Sequence, residues 1–256
     1  MTMEIKSYKK LRGNVYEVSL DNGDDYKLFD DVILKYELLL DKDIDEKKLQ
    51  RVLDANDEME AYYKALKYIG VRMRSELEIR RYLKKYEIPV KAINKSVAKL
   101  KEEGYIDQEK YARAYVNDAV NLTLDGPKKV KDNLLRLGID ERFIDENLTN
   151  FDSSFWQDRI VKILDKKKKM NKVGLSLFKN KCYGDLMVMG YHSSDISAVL
   201  ETFTMDTSEV FEREADKIYN KLSCKYDGVE LELRFKSKMY AKGFDGDSVN
   251  SYLDKK

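Results

Sequence analysis

Two cysteines, Cys182 and Cys224, are all that 256 residues contain. They cannot build a disulfide framework and match no metal-ligand spacing, so both read as reduced thiols of a cytoplasmic protein, with Cys182 in a core position. Histidine occurs once, at His192, where a turn or helix-capping role accounts for it. There is no Walker-type glycine loop, no HExxH, no CxxC and no GxSxG. No catalytic residue, cofactor or metal is therefore expected, and the chain reads as a non-enzyme. No apolar run approaches the ~20 residues of a membrane span, which excludes a membrane-crossing segment. The opening MTMEIKSYKK lacks the apolar core of a secretion signal. Two prolines, Pro89 and Pro127, leave room for long helices.

Repetition is abundant. The skeleton Ile79, Leu83, Glu87, Ile88, Ile93, Val97 returns as Val130, Leu134, Gly138, Ile139, Ile144, Leu148. It returns again as Cys182, Leu186, Gly190, Tyr191, Ile196, Leu200, and finally as Phe235, Met239, Gly243, Phe244, Val249, Leu253. From Leu83 to Leu134, Leu186 and Met239 the steps are 51, 52 and 53 residues, the signature of a repeat architecture. The first two marks are one helical turn apart and the last two likewise, so each copy holds two apolar stripes. The Gly between them suits the left-handed position that ends a helix, and the apolar residue after it suits the contact that accompanies such a stop. Asp140 and Asp245 follow where a carboxylate caps the next helix, and Pro89 takes that place in the first copy. Only Glu87 breaks the Gly rule.

A further helix leads each copy. Its stripes are Tyr62, Tyr63, Leu66, Ile69; Tyr111, Tyr115, Ala119, Leu122; Phe155, Ile160, Ile163, Leu164; and Phe211, Ala215, Ile218, Leu222. Asp43 or Asp45 caps a helix near Glu46, and one long helix or two abutting ones span 45–69. Ser75 with Glu78 forms a capping box, Asp107 caps the second leading helix, and Gly126-Pro127 opens the helix after it. Residues 1–40 stand apart. Ile5–Tyr8 and Val15–Leu20 alternate as strands do, Asn22-Gly23 signals a hairpin, and Tyr26, Leu28 and Phe29 return from it. So few strands need the helices to pack on. Residues 31–38 fit either a short helix or an extension of the last strand. The fold class is thus mainly α: tandem three-helix repeats forming an elongated curved rod, with a small N-terminal antiparallel β-hairpin or sheet. Its expected segments are 1–56 (hairpin plus helix), 57–106, 107–152, 153–205 and 206–256 (repeats one to four).

Charge is uneven. Residues 1–60 hold 10 basic and 16 acidic groups, whereas residues 61–106 hold 12 and 5. Such polarity suits an anionic partner. Arg72, Arg74, Arg80, Arg81, Lys84 and Lys85 crowd the first repeat, and Lys128, Lys129, Lys131 and Arg136 occupy the matching helix of the second. These ten are the candidate partner-binding residues, weighed against an ordinary solvated helix face. Solvation accounts for the run Lys166 to Lys169, and core packing for Tyr111 and Tyr115.

Val71 to Ile79 (VRMRSELEI), Leu83, Leu100 to Asp107 (LKEEGYID) and Tyr111 to Val116 (YARAYV), with Gly126-Pro127, Leu134 and Gly138-Ile139, resemble the RecX family. The resemblance is specific over 60–150 and loose beyond, and the hairpin and fourth unit resemble the family's longer members. It implies a regulator of the RecA recombinase rather than an enzyme. The resemblance implies a curved rod that would lodge in the groove of the RecA–DNA filament; a monomer with room for a weak direct contact to DNA is expected. There it would hinder ATP hydrolysis, strand exchange and filament growth, in recombination and DNA repair. The alternatives are a DNA-binding protein using tandem helix-turn-helix-like units and a general helical scaffold.

Overall fold

The two alternating segments become strands β1 (Thr2–Lys10) and β2 (Val15–Leu20), and the chain returns as β3 (Asp25–Phe29). The computed structural model describes residues 2–256. Asn22-Gly23 makes the turn: the Asn22 side chain accepts from the Asp24 amide at 3.0 Å, and Gly23 has φ 92°. Both pairings are antiparallel, with Tyr8 opposite Val18 and Val18 opposite Tyr26. A fourth strand, β4 (Asp43–Asp45), pairs with the start of β1, for the order β3-β2-β1-β4. Three residues carry no readable period, which is why the sequence does not announce it. Residues 31–38 begin as a helix, α1 (Asp30–Lys35).

Asp45 is the cap of α2 (Glu46–Ile69), accepting from the Lys48 amide at 2.6 Å, and α2 runs unbroken for 24 residues. The sheet packs on its first half. Ile5, Val18, Leu28, Val32, Ile44 and Val52 are all buried in one cluster, and burying each such side chain contributes about 1.5–3 kcal/mol. Asn56 of α2 locks the edge strand: its Oδ1 accepts from the Phe29 amide at 2.9 Å and its Nδ2 donates to the Lys27 carbonyl at 3.0 Å.

The second half of α2 packs with α3 (Glu76–Lys84) and α4 (Val90–Glu102) around Ala61, Ala65, Ile79, Leu83, Ile93, Val97 and Leu100. Small residues let α2 and α4 approach closely, and buried Ser96 donates to the Glu58 carbonyl at 2.7 Å. Three further triplets follow: α5 (Gln108–Leu122), α6 (Pro127–Arg136), α7 (Glu141–Leu148); α8 (Ser153–Lys168), α9 (Leu175–Val188), α10 (Ser193–Thr202); and α11 (Ser208–Ser223), α12 (Gly228–Ala241), α13 (Gly246–Leu253). Gly138, Gly190 and Gly243 have φ of 77°, 85° and 76°, and Glu87 takes the same left-handed conformation at φ 57°. Asp245 caps α13 by accepting from the Ser248 amide at 2.8 Å. His192 precedes α10 without a side-chain capping bond.

Two expected stripes are corrected. Leu122 is 79% exposed, because α5 ends there and its last side chain lies beyond the packed stripe; Val116 and Val120 are buried instead. In α8 it is Trp156 that is buried, while Phe155 is half-buried.

The chain divides into two compact units, residues 1–113 with 135–143, and residues 114–134 with 144–256. Inside the second unit one joint occurs twice. Gly126 N–H donates to the Met189 carbonyl at 2.7 Å, Lys128 N–H to the Gly190 carbonyl at 3.0 Å, and Gly174 N–H to the Lys242 carbonyl at 2.8 Å. So the start of each middle helix rests on the Gly turn of the following triplet. A Cβ at Gly126 would lie 2.5 Å from the Gly190 carbonyl carbon, and one at Gly174 would lie 1.9 Å from the Gly243 oxygen. No side chain fits there. Within the first unit, Leu77 of α3 lies correspondingly against Gly138, 3.4 Å from where a Cβ would stand.

Candidate interaction surface

Helix α3 carries six of the ten basic candidates on or beside it. It starts at Ser75, whose Oγ accepts from the Glu78 amide at 3.2 Å while Glu78 Oε2 accepts from the Ser75 amide at 2.9 Å. Ile79 and Leu83 are fully buried, which turns Arg80, Arg81 and Lys84 away from the core.

Three of the six are engaged by their own repeat. Arg72 lies 2.6 Å from Glu78 Oε1 and Arg74 3.4 Å from the same oxygen. The Tyr111 hydroxyl donates to Glu78 Oε2 at 3.1 Å, so one carboxylate joins the cap, two arginines and the next triplet's first helix. Burial pushes the Glu78 carboxyl up, but the Ser75 amide, Arg72 and Tyr111 outweigh it, leaving it below the usual glutamate range. Burial and the Glu78 charge push the Tyr111 phenol up to about 12. Arg80 meets Glu76 at 2.7 Å and Asn94 at 2.6 Å, and Lys101 meets the other Glu76 oxygen at 2.5 Å.

A ladder of rings, which the sequence does not announce, closes this surface on one side. The Arg74 guanidinium lies 3.9 Å over Tyr68, and Tyr68 stacks on Tyr82 at 4.1 Å with the planes 6° apart. Tyr86 meets Tyr82 edge-on at 5.1 Å and donates to its hydroxyl at 3.0 Å, and Lys64 sits 4.0 Å over the Tyr86 ring. The four-residue spacing of Tyr82 and Tyr86 was the one available signal. With a cation at each end, these rings hold α2 to α3 rather than standing open to a flat ligand.

Arg81, Lys84 and Lys85 differ. Spaced by three and one, they share one exposed side at the end of α3, and none has a carboxylate within ion-pair distance among the described residues. Arg136, also in the first unit, is likewise exposed and unpaired. In the second unit Lys129 meets Asp125 at 2.7 Å and Lys131 meets Asp145 at 2.7 Å, while Lys128 is exposed without such a partner. Among the described residues no His, Cys, Asp and Glu side chains group to hold a metal, and no helix is long and apolar enough to cross a membrane.

The family model for the RecX first three-helix domain matches residues 61–100, the segment that contains α3 and all but the last two residues of α4. Regulatory protein RecX of Streptococcus pneumoniae (strain Hungary19A-6) is 31% identical over 256 residues, covering 98% of both chains. The chain belongs to the RecX family. Regulatory protein RecX of Limosilactobacillus reuteri (strain DSM 20016) is 29% identical over 245 residues, 93% of this chain and 92% of that one. A crystal structure of regulatory protein RecX superposes with TM-score 0.66 at 25% identity, over 78% of this chain and 99% of the other. RecX membership thus extends through the third and fourth triplets, where the sequence motifs are loose.

Proposed function

We propose that this RecX-family chain is a non-enzymatic modulator, in the inhibitory sense, of the RecA recombinase. It binds as a cytoplasmic monomer in the groove of the RecA–DNA filament and slows ATP hydrolysis, strand exchange and filament growth. The observation that carries this reading is near-full-length similarity to proteins named regulatory protein RecX. Four successive helix triplets, expected over 57–106, 107–152, 153–205 and 206–256, would meet successive protomers, so that weak contacts compound. Among the ten basic candidates, Arg81, Lys84, Lys85, Lys128 and Arg136 have charge to offer a partner. Arg72, Arg74, Arg80, Lys129 and Lys131 first serve the fold. The test is RecA ATPase on single-stranded DNA with added protein. Inhibition is expected, and no effect at saturating protein would refute the assignment. The triple variant R81E/K84E/K85E should raise the half-inhibitory concentration about tenfold, or ~1.4 kcal/mol, in line with losing three rim charges.

A further inference from the structure

The densest unpaired positive charge is not in the first two repeats. Residues 162–181 hold eight lysines against a single acid, Asp165. Among the described residues only Lys167 of these is paired, with Asp185 of α9. Lys166, Lys168, Lys169, Lys172, Lys179 and Lys181 have no carboxylate within ion-pair distance among the described residues, and all but Lys179 are exposed. Lysines at the end of α8 complement its dipole. That account covers Lys166 to Lys169 but not Lys172 in the loop, nor Lys179 and Lys181 on α9.

Three of the eight, Lys167, Lys172 and Lys181, border an open recess of about 580 Å³ between the end of α8 and the side of α9. Lys172, Lys181 and the Lys167–Asp185 pair stand at its rim, and Met170, 84% exposed, and Val173 form an apolar floor over the buried Phe178. The loop between the helices is held in shape. Asn171 Nδ2 donates to the Val173 carbonyl at 2.5 Å, its Oδ1 accepts from the Val173 amide at 3.2 Å, and Gly174 is tied to the Lys242 carbonyl.

We propose that this recess binds single-stranded nucleic acid, with the lysines on successive phosphates and an unstacked base or sugar over Met170, Val173 and Phe178. Lysines act as point charges that follow a flexible backbone without demanding fixed geometry. An apolar floor among them suits a strand whose bases are free to leave the stack. A duplex keeps its bases stacked and has no use for the floor. The site goes beyond the recombinase reading and does not rest on it.

The test uses the full chain, a fluorescent oligothymidine of about twenty nucleotides and anisotropy titrations across a salt series, without recombinase. The variant K168E/K169E/K172E should weaken binding at least tenfold and flatten the log K against log salt slope by about 2, given ~0.7 per phosphate for single strands. Its Lys→Gln counterpart should show the same direction with a smaller loss. The equally charge-changing K217E/K221E/K225E, on α11 and the turn that follows it, should bind within about twofold of the unaltered chain. Met170→Ser should reduce affinity without altering the slope. Binding unchanged in the first variant, equal loss in the α11 control, or equal competition by poly-glutamate would each overturn the site. So would no binding by the unaltered chain, a result that leaves the ATPase test of the recombinase reading untouched.

Discussion

The joint at Gly174 offers the sharpest quantitative check on how the triplets are assembled. In Gly174→Ala the new methyl would start 1.9 Å from the Gly243 carbonyl oxygen and 2.4 Å from its carbon, both backbone atoms that cannot swing aside. Reaching ordinary van der Waals separation near 3.5 Å requires the two backbones to part by about 1.5 Å. That movement breaks the 2.8 Å bond from the Gly174 amide to the Lys242 carbonyl. Overpacking of this kind costs about 1–3 kcal/mol, and a buried amide left unpaired about 1–3 kcal/mol more. A loss of about 2–6 kcal/mol results, which lowers the thermal midpoint by roughly 6–18 °C at ~3 °C per kcal/mol for a chain of this size. Ten residues on, inside α9, Gly184 has nothing within 4 Å of a built Cβ. Gly184→Ala should therefore stabilise by about 0.5–1 kcal/mol through helix propensity and unfolded-state entropy. Circular-dichroism melts of both variants, with amide exchange at Gly174 as the local probe, test the pair. Equal melting of wild type and Gly174→Ala, with Gly174 exchange unchanged, would refute the close-approach joint.

Two other substitutions probe single side chains. Arg159 of α8 donates to the Val120 and Thr123 carbonyls at the end of α5, at 2.5 and 2.6 Å. Arg159→Met keeps its bulk but abandons those carbonyls, and should cost about 2–3 kcal/mol in urea unfolding. Glu78→Gln removes the charge shared by Arg72, Arg74 and the Ser75 cap, and should cost about 1–3 kcal/mol at pH 7. Because the Glu78 carboxyl lies below its ordinary value in the fold, its contribution is present above the unfolded glutamate range near ~4.3 and disappears as pH falls through the folded value. The gap between wild type and Glu78→Gln should therefore close on acidification below that range; a gap that persists in acid would contradict the ionic account.

Repetition and short-range chemistry are the features legible in the sequence. The apolar marks, the Ser75–Glu78 box, the Asp245 cap, a cap at Asp43 or Asp45 and the Asn22-Gly23 turn all depend on residues a few positions apart, so pattern alone exposes them. The three-residue β4 depends on a partner forty residues away in β1 and offers no pattern. The same holds for the candidate surface. The sequence shows where cations gather, but not that Glu76 and Glu78 occupy Arg72, Arg74 and Arg80, nor that Arg74 lies over Tyr68. In the run Lys166 to Lys169 the error would run the other way. Solvation accounts for four lysines in a row, and only the fold brings Lys172 and Lys181 beside Lys167 around one recess.

Glu87, the one exception to the Gly rule, is explained by the same joint. A turn residue in this architecture meets two separate demands: a left-handed φ, and room for the preceding triplet's middle helix to touch its backbone. Gly190 meets both, with Lys129 atoms 2.4 and 2.6 Å from a built Cβ, and Gly243 meets both against Leu177 at 2.5 Å. Gly138 is less pressed, with Leu77 at 3.4 Å. Before the first triplet there is a sheet and no middle helix, and Glu87 is exposed. Only the first demand then remains, and a non-glycine residue meets a left-handed φ at a cost of about 1 kcal/mol. Steric need at the joint, more than conformational need at the turn, therefore separates the glycines of the later triplets from the glutamate of the first.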